Sequence, residues 1–104
     1  MKQADLQWKS GVVTFWDLDE LNLSESIESQ VEILKEDLMQ VQYGDTVLDL
    51  GWHPDFNSQG QFLLSVVKSR DWENPIWQVR FRELSQLTPK LNQGVEIAER
   101  HASN

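Results

Sequence analysis

His53 is the residue in this sequence best suited to chemistry, because an unperturbed imidazole titrates near neutral pH. It stands four residues after Asp49 and two before Asp55, a spacing from which an acid–base pair or part of a metal site could be built. The other imidazole, His101, lies at the far end of the chain, so no metal centre is expected and a loop histidine following a strand is the simpler reading. Asp17-Leu18-Asp19-Glu20 has the carboxylate density of a calcium loop. It lacks the glycine and the later bidentate glutamate that a twelve-residue loop uses, and reads as a solvated turn. The absence of cysteine removes thiol nucleophiles, thiolate metal sites and disulfides together. No Ser-His-Asp order, phosphate-cradling glycine loop or nucleotide fingerprint is present. Neither catalysis nor a cofactor is expected, and a small enzyme or ligand-binding pocket around His53, Asp49 and Asp55 is the alternative.

The remaining chemistry is recognition. The net charge of -8 is unevenly distributed. Between Asp17 and Asp37, eight acidic residues (Asp17, Asp19, Glu20, Glu25, Glu28, Glu32, Glu36 and Asp37) face Lys35 alone, so this segment carries seven of the eight net negative charges. From Lys68 onward, six basic residues balance five acidic ones. A localised negative field attracts a cationic partner and speeds encounter, and it disfavours a phosphate backbone. Trp72 adds a second signal. It sits in the polar loop Asp71-Trp72-Glu73-Asn74-Pro75, where an indole either folds back onto the protein or stands available to a partner.

These residues must be positioned by the elements around them. Thr46–Trp52, Gln61–Lys68 and Ile76–Arg82 alternate apolar and polar residues with the two-residue period of a strand. Thr46, Leu48, Leu50 and Trp52 share one face, with Asp49 and Gly51 on the other. The connecting loops of seven or eight residues are too short for parallel crossovers, so an antiparallel meander is expected. Val12–Trp16 is β-branched and aromatic and reads as a strand that could join it. Leu6 and Trp8 are spaced as on a strand, and Lys9-Ser10-Gly11 as a turn.

Between Val12–Trp16 and the meander, Ile27, Val31, Leu34, Leu38 and Val41 recur at steps of four and three, the stripe of an amphipathic helix. Asn22 or Ser24 offers its N-cap, Gly44 its left-handed terminus, and Glu25, Glu28, Glu32 and Glu36 a neighbouring acidic stripe. A helix from Glu25 to Gln42 would be roughly 27 Å long, enough to cover three strands. After the meander, Leu84 and Leu87 bridge sheet to helix, Thr88-Pro89 reads as cap and first helical residue, and Leu91, Val95 and Ala98 mark a second helix weakened by Gly94. His101–Asn104 should fray.

The expected architecture is therefore α+β: an antiparallel meander of three to four strands, with one long amphipathic helix before it and one helix after it, in a single domain spanning residues 1–104. No apolar run reaches the roughly 20 residues of a membrane helix, and the N-terminus lacks the apolar run of a secretory signal. A cysteine-free chain of this kind is expected in the cytoplasm.

An acidic, cysteine-free chain with Gly51-Trp52-His53-Pro54, Gly60-Gln61-Phe62-Leu63-Leu64 and Asp71-Trp72-Glu73-Asn74-Pro75 on a meander resembles immunity proteins of bacterial polymorphic toxin systems, including those of contact-dependent growth inhibition. The resemblance implies a cytoplasmic antidote, monomeric or in a 1:1 heterodimer with the C-terminal domain of its cognate toxin. Such toxins are frequently cationic nucleases, with ribonuclease favoured, and the antidote blocks the active site or substrate groove. Carboxylates on a rigid scaffold can occupy phosphate subsites without being cleaved. The expected contacts are Asp17, Asp19, Glu20, Glu25, Glu28 and Glu32, with Asp55, Asp71, Trp72 and Glu73 as a second cluster.

Overall fold

Alternation in the sequence becomes one sheet in the structure. The computed structural model describes residues 1–102 and folds them as α+β. Five antiparallel strands, β1 (Val12–Trp16), β2 (Met39–Tyr43), β3 (Thr46–His53), β4 (Gln61–Lys68) and β5 (Trp77–Phe81), lie side by side in chain order. The α-helix α1 (Leu87–His101) follows.

The register divides the sheet into two faces. Met39 pairs with Leu50, Leu50 with Leu64 and Leu64 with Val79, while Trp52, Phe62 and Phe81 align at one end. These residues form the covered face. Leu87, Leu91, Val95 and Ala98 of α1 are buried with it in one apolar cluster. Burial of each large side chain there is worth roughly 1.5–3 kcal/mol. Gly94, which costs helix propensity, lets α1 approach: a Cβ at this position would lie 2.7 Å from Leu48. Trp52 is fully buried on this face, and Trp16 and Trp77 pack against the cluster.

The long helix before the meander does not form. Residues 17–38 instead make an irregular arm whose only regular stretch is the 3-10 segment Glu28–Ile33, itself broken at Gln30 (φ -135°, ψ 25°). Side chains that compete with the helical backbone explain the loss. Asn22 Oδ1 accepts the Ser24 N–H at 2.9 Å, an Asx turn where a cap was expected, and the Ser26 hydroxyl accepts the Ser29 N–H at 3.2 Å. The last part of the expected helix is a strand, because Met39, Val41 and Tyr43 alternate as well as they fit a helical stripe. Gly44 does adopt a left-handed conformation (φ 60°), but as the first residue of the two-residue β2–β3 hairpin loop. The sheet consequently has five strands rather than three to four.

Smaller expectations also shift. Leu6 and Trp8 follow a 3-10 turn (Gln3–Asp5) and form no strand, although Lys9–Gly11 is a turn, closed by Gly11 N–H to the Trp8 carbonyl. The helix α1 begins at Leu87 after the 3-10 turn Leu84–Gln86, so Thr88 lies inside the first turn rather than capping it. His101 is helical, and its carbonyl accepts Lys68 Nζ at 2.7 Å; Ser103 and Asn104 lie outside the described residues. Among the described residues, no helix is long and apolar enough to cross a membrane.

Candidate functional site: the open face of the sheet

The face opposite α1 is built from the intervening residues. Its central row crosses all five strands as Phe15, Gln40, Asp49, Ser65 and Gln78. Two pairs in the row are joined by side-chain hydrogen bonds, the Gln40 side chain bonding to Asp49 and Gln78 Nε2 donating to Ser65 Oγ at 2.9 Å. Val47 and Val67 pair on one side of it, Gly51, Leu63 and Arg80 on the other.

Two flanking segments turn this face into a cleft. The first is the end of the acidic arm. Trp52 N–H donates to the Lys35 carbonyl at 2.8 Å and Leu38 N–H to the Leu50 carbonyl at 2.9 Å, so Glu36 and Asp37 together oppose the single residue Gly51. This is a bulge, and it needs glycine opposite: a Cβ on residue 51 would come within 1.8 Å of the Glu36 carbonyl oxygen. The second is the β4–β5 loop. Ser69 and Arg70 both have positive φ (53° and 62°), and Asp71 N–H returns to the Lys68 carbonyl at 3.1 Å. That is the geometry of a mirror-image turn, which asparagine and glycine adopt more cheaply than serine and arginine. The turn leads directly into Trp72.

Between these segments lies a cleft of about 220 Å³, lined by Glu36, Asp37, Asp49, Gly51, His53, Leu63, Ser65, Val67, Trp72 and Gln78. Asp37 also reaches a neighbouring depression with Phe15 and Gln40. Trp72 is 50% exposed and Phe15 42%, an unusual exposure for large aromatic side chains on one sheet face. Burial, reinforced by the nearby Asp37 carboxylate, raises the Asp49 carboxyl from 3.8 to about 6, against the opposing pull of the Gln40 hydrogen bond and His53. The arrangement offers hydrogen-bond acceptors, negative charge and an aromatic wall together. Among the described residues, no group of three His, Asp or Glu is disposed to hold a metal ion.

The residues expected at a site are redistributed. His53 and Asp49 do share the cleft, but Asp55 is exposed on the β3–β4 loop and does not line it, so the expected three-residue pocket is not assembled. Trp72 lines the cleft, whereas its neighbours Asp71 and Glu73 do not; Asp71 instead accepts the Asn74 side-chain amide. Glu25 and Glu28 come together with Glu83 and Arg82 around a separate depression of about 380 Å³. There Arg82 Nη2 lies 3.7 Å from Glu28. Asp17 pairs with Lys35, and Asp19 accepts Trp16 Nε1 at 2.8 Å. Glu20 and Glu32 are exposed. Glu25, Glu28, Glu32 and Glu36 share no helical stripe, because the helix that would align them is absent.

Phe15, Asp37, Gln40, Ser65 and Gln78 were not expected at a site. The two-residue period already placed Asp49 and Gly51 on the outer face and was the one available signal. No family model matches the chain, and no curated protein or solved structure is similar enough to count as a match.

Proposed function

We propose that the protein acts by stoichiometric binding of a cationic protein, as an immunity protein does when it neutralises the basic C-terminal domain of a cognate toxin, a ribonuclease in the favoured case. The observation that carries this reading is the fixed, under-neutralised charge of the acidic arm. Among the described residues, no ion pair reaches Glu20, Glu25, Glu32, Glu36 or Asp37. The arm is nevertheless anchored, with Leu18, Leu21, Ile27 and Leu34 buried in the core. Gln30 fastens it further, accepting the Asn22 N–H at 2.9 Å and donating to the Asn22 carbonyl at 2.8 Å. Carboxylates held on an ordered arm can meet a basic groove with little ordering cost at the moment of binding.

The test uses the domain encoded at the C-terminal end of a large secreted protein by the gene immediately upstream, if one is present. That domain should co-purify with this chain. Glu28→Lys combined with Glu32→Lys should slow association about tenfold at low salt and lose its effect as salt rises. Unchanged association and protection would exclude that part of the arm. A pocket chemistry at Asp49 and His53 is the second reading, favoured by their shared cleft; it requires a small molecule that competes at the cleft and is altered there.

A further inference from the structure

The open-face cleft differs from the rest of the acidic surface in having walls. Asp49 stands on its floor between strands, Glu36 and Asp37 form one side, and the half-exposed Trp72 is carried in on a turn of unfavourable backbone conformation. The apolar exposure of the sheet gathers here too, since Phe15 and the 62% exposed Val12 occupy the same face of β1. We infer that this face docks the basic partner by taking one of its arginine side chains into the cleft, the guanidinium lying against Trp72 with the carboxylates of Asp49 and Asp37 as its counter-ions. The inference rests on the preceding reading and specifies which surface and which chemical group it employs.

The lining selects this occupant over others. Three carboxylates repel a phosphate or an acidic peptide. A purely apolar side chain would strip solvent from the Asp49 and Asp37 carboxylates without supplying a counter-charge, a costly burial. Arginine matches both parts of the lining. Its planar fork donates in several directions to carboxylate and amide oxygens, and its faces stack on an indole; the compact ammonium of lysine matches only the charge. Phe15 and Val12 then provide an apolar shoulder for the surrounding partner surface, around a central anchor of the kind that dominates interface energetics. Arg80, beside Leu63 on the same face, limits the acidic area on the β5 side.

The test needs no toxin. The full chain, isotopically labelled, is titrated with N-acetyl-arginine N-methylamide, with the lysine equivalent and with the isosteric, uncharged citrulline equivalent. The arginine probe should give saturable shifts of the Trp72 indole N–H and the Asp49 and Ser65 amides, with a Kd on the order of 1–10 mM. Lysine should bind several-fold more weakly and citrulline not measurably, with the Trp8 and Trp16 indoles unmoved. Trp72→Ala and Asp49→Asn should each weaken the arginine probe about five- to tenfold, and Trp72→Phe should recover part of the loss. Equal binding of citrulline, no saturable shift at the cleft, or shifts centred on Glu25, Glu28 and Glu32 would overturn the inference. Capture of a toxin domain that is insensitive to Trp72→Ala and Asp49→Asn would also overturn it while leaving the antidote reading intact. Cleft binding of the arginine probe without toxin capture would do the reverse.

Discussion

The two faces of the sheet are made from alternate residues of the same five strands and follow opposite rules. Met39, Leu50, Leu64 and Val79 line up on the covered face, and on it Trp52 stacks edge-on against Phe62 at a ring separation of 4.9 Å. Apolar packing there favours the folded state. On the open face, the same strands present a carboxylate in a partly desolvated cleft, a second carboxylate close by, and a tryptophan left half in water. Those choices oppose stability locally. The clustering of these departures from the stabilising pattern in one place is the physical ground for treating this face as the candidate site.

The contrast can be broken most forcefully at its two tryptophans. Trp52→Ala should cost about 3–5 kcal/mol in urea unfolding, because a fully buried ring is removed and its indole N–H no longer meets the Asn57 carbonyl, 2.8 Å away. Trp72→Ala should change stability by about 0.5 kcal/mol or less. Comparable losses at the two positions would show that the open face is packed for stability after all.

Gly51→Ala comes next. Its methyl group meets backbone rather than a movable side chain, so the Glu36–Asp37 bulge must shift, at about 1–3 kcal/mol. Thermal unfolding gives the cost, and amide shifts of Asp37 should report the displaced wall.

Asp49→Asn should act in the opposite direction. The native carboxyl ionises near pH 6 against an ordinary 3.8, so the folded state holds its proton more tightly than the unfolded chain. Stability therefore falls as pH rises between these values, and the full penalty remains above about pH 6. Asparagine removes that penalty while keeping an oxygen for Gln40. The variant should gain about 1–2 kcal/mol at pH 8 and nothing at pH 3.5, a figure reduced for the solvent that reaches the group. A pH-independent effect would show that Asp49 ionises normally.

The smallest effect concerns the turn that presents Trp72. Ser69→Asn with Arg70→Gly gives a sequence suited to two successive positive φ angles and should stabilise by about 1 kcal/mol. Destabilisation in chemical unfolding would mean that the left-handed pair is held by side-chain contacts, such as the one between Ser69 Oγ and Asp45 at 3.4 Å.

The regions legible in the sequence were those in which local pattern and tertiary environment agree. The strands β3, β4 and β5 each have one buried face and loops too short for crossovers, so period two was decisive. The helix α1 was equally plain from Leu91, Val95 and Ala98. The acidic arm misled because steps of four and three among Ile27, Val31, Leu34, Leu38 and Val41 fit two different solutions. An amphipathic helix buries them all, and an arm that dips into the core and ends as a strand buries all but Val31, which it leaves half-buried. The pairing of Met39–Tyr43 with Thr46–Leu50 across a two-residue loop decides between the two, and the helical spacing masks it. The cleft was half legible for the same reason. Asp49 and His53 share a face by strand period, but Asp37 joins them through a bulge and Trp72 through a turn, both products of tertiary contact.

Gln30 separates the arm's shape from its charge. A neutral amide, itself buried, ties the turn at Asn22 to the segment that follows, so no titrating or salt-sensitive group is needed for that tie. Rising ionic strength would screen the ion pairs that also hold the arm, Asp17 with Lys35 and Glu28 with Arg82, while leaving this amide tie intact. On the binding reading proposed above, the rate of encounter would follow the surrounding salt while this neutral tie kept the turn at Asn22 in place.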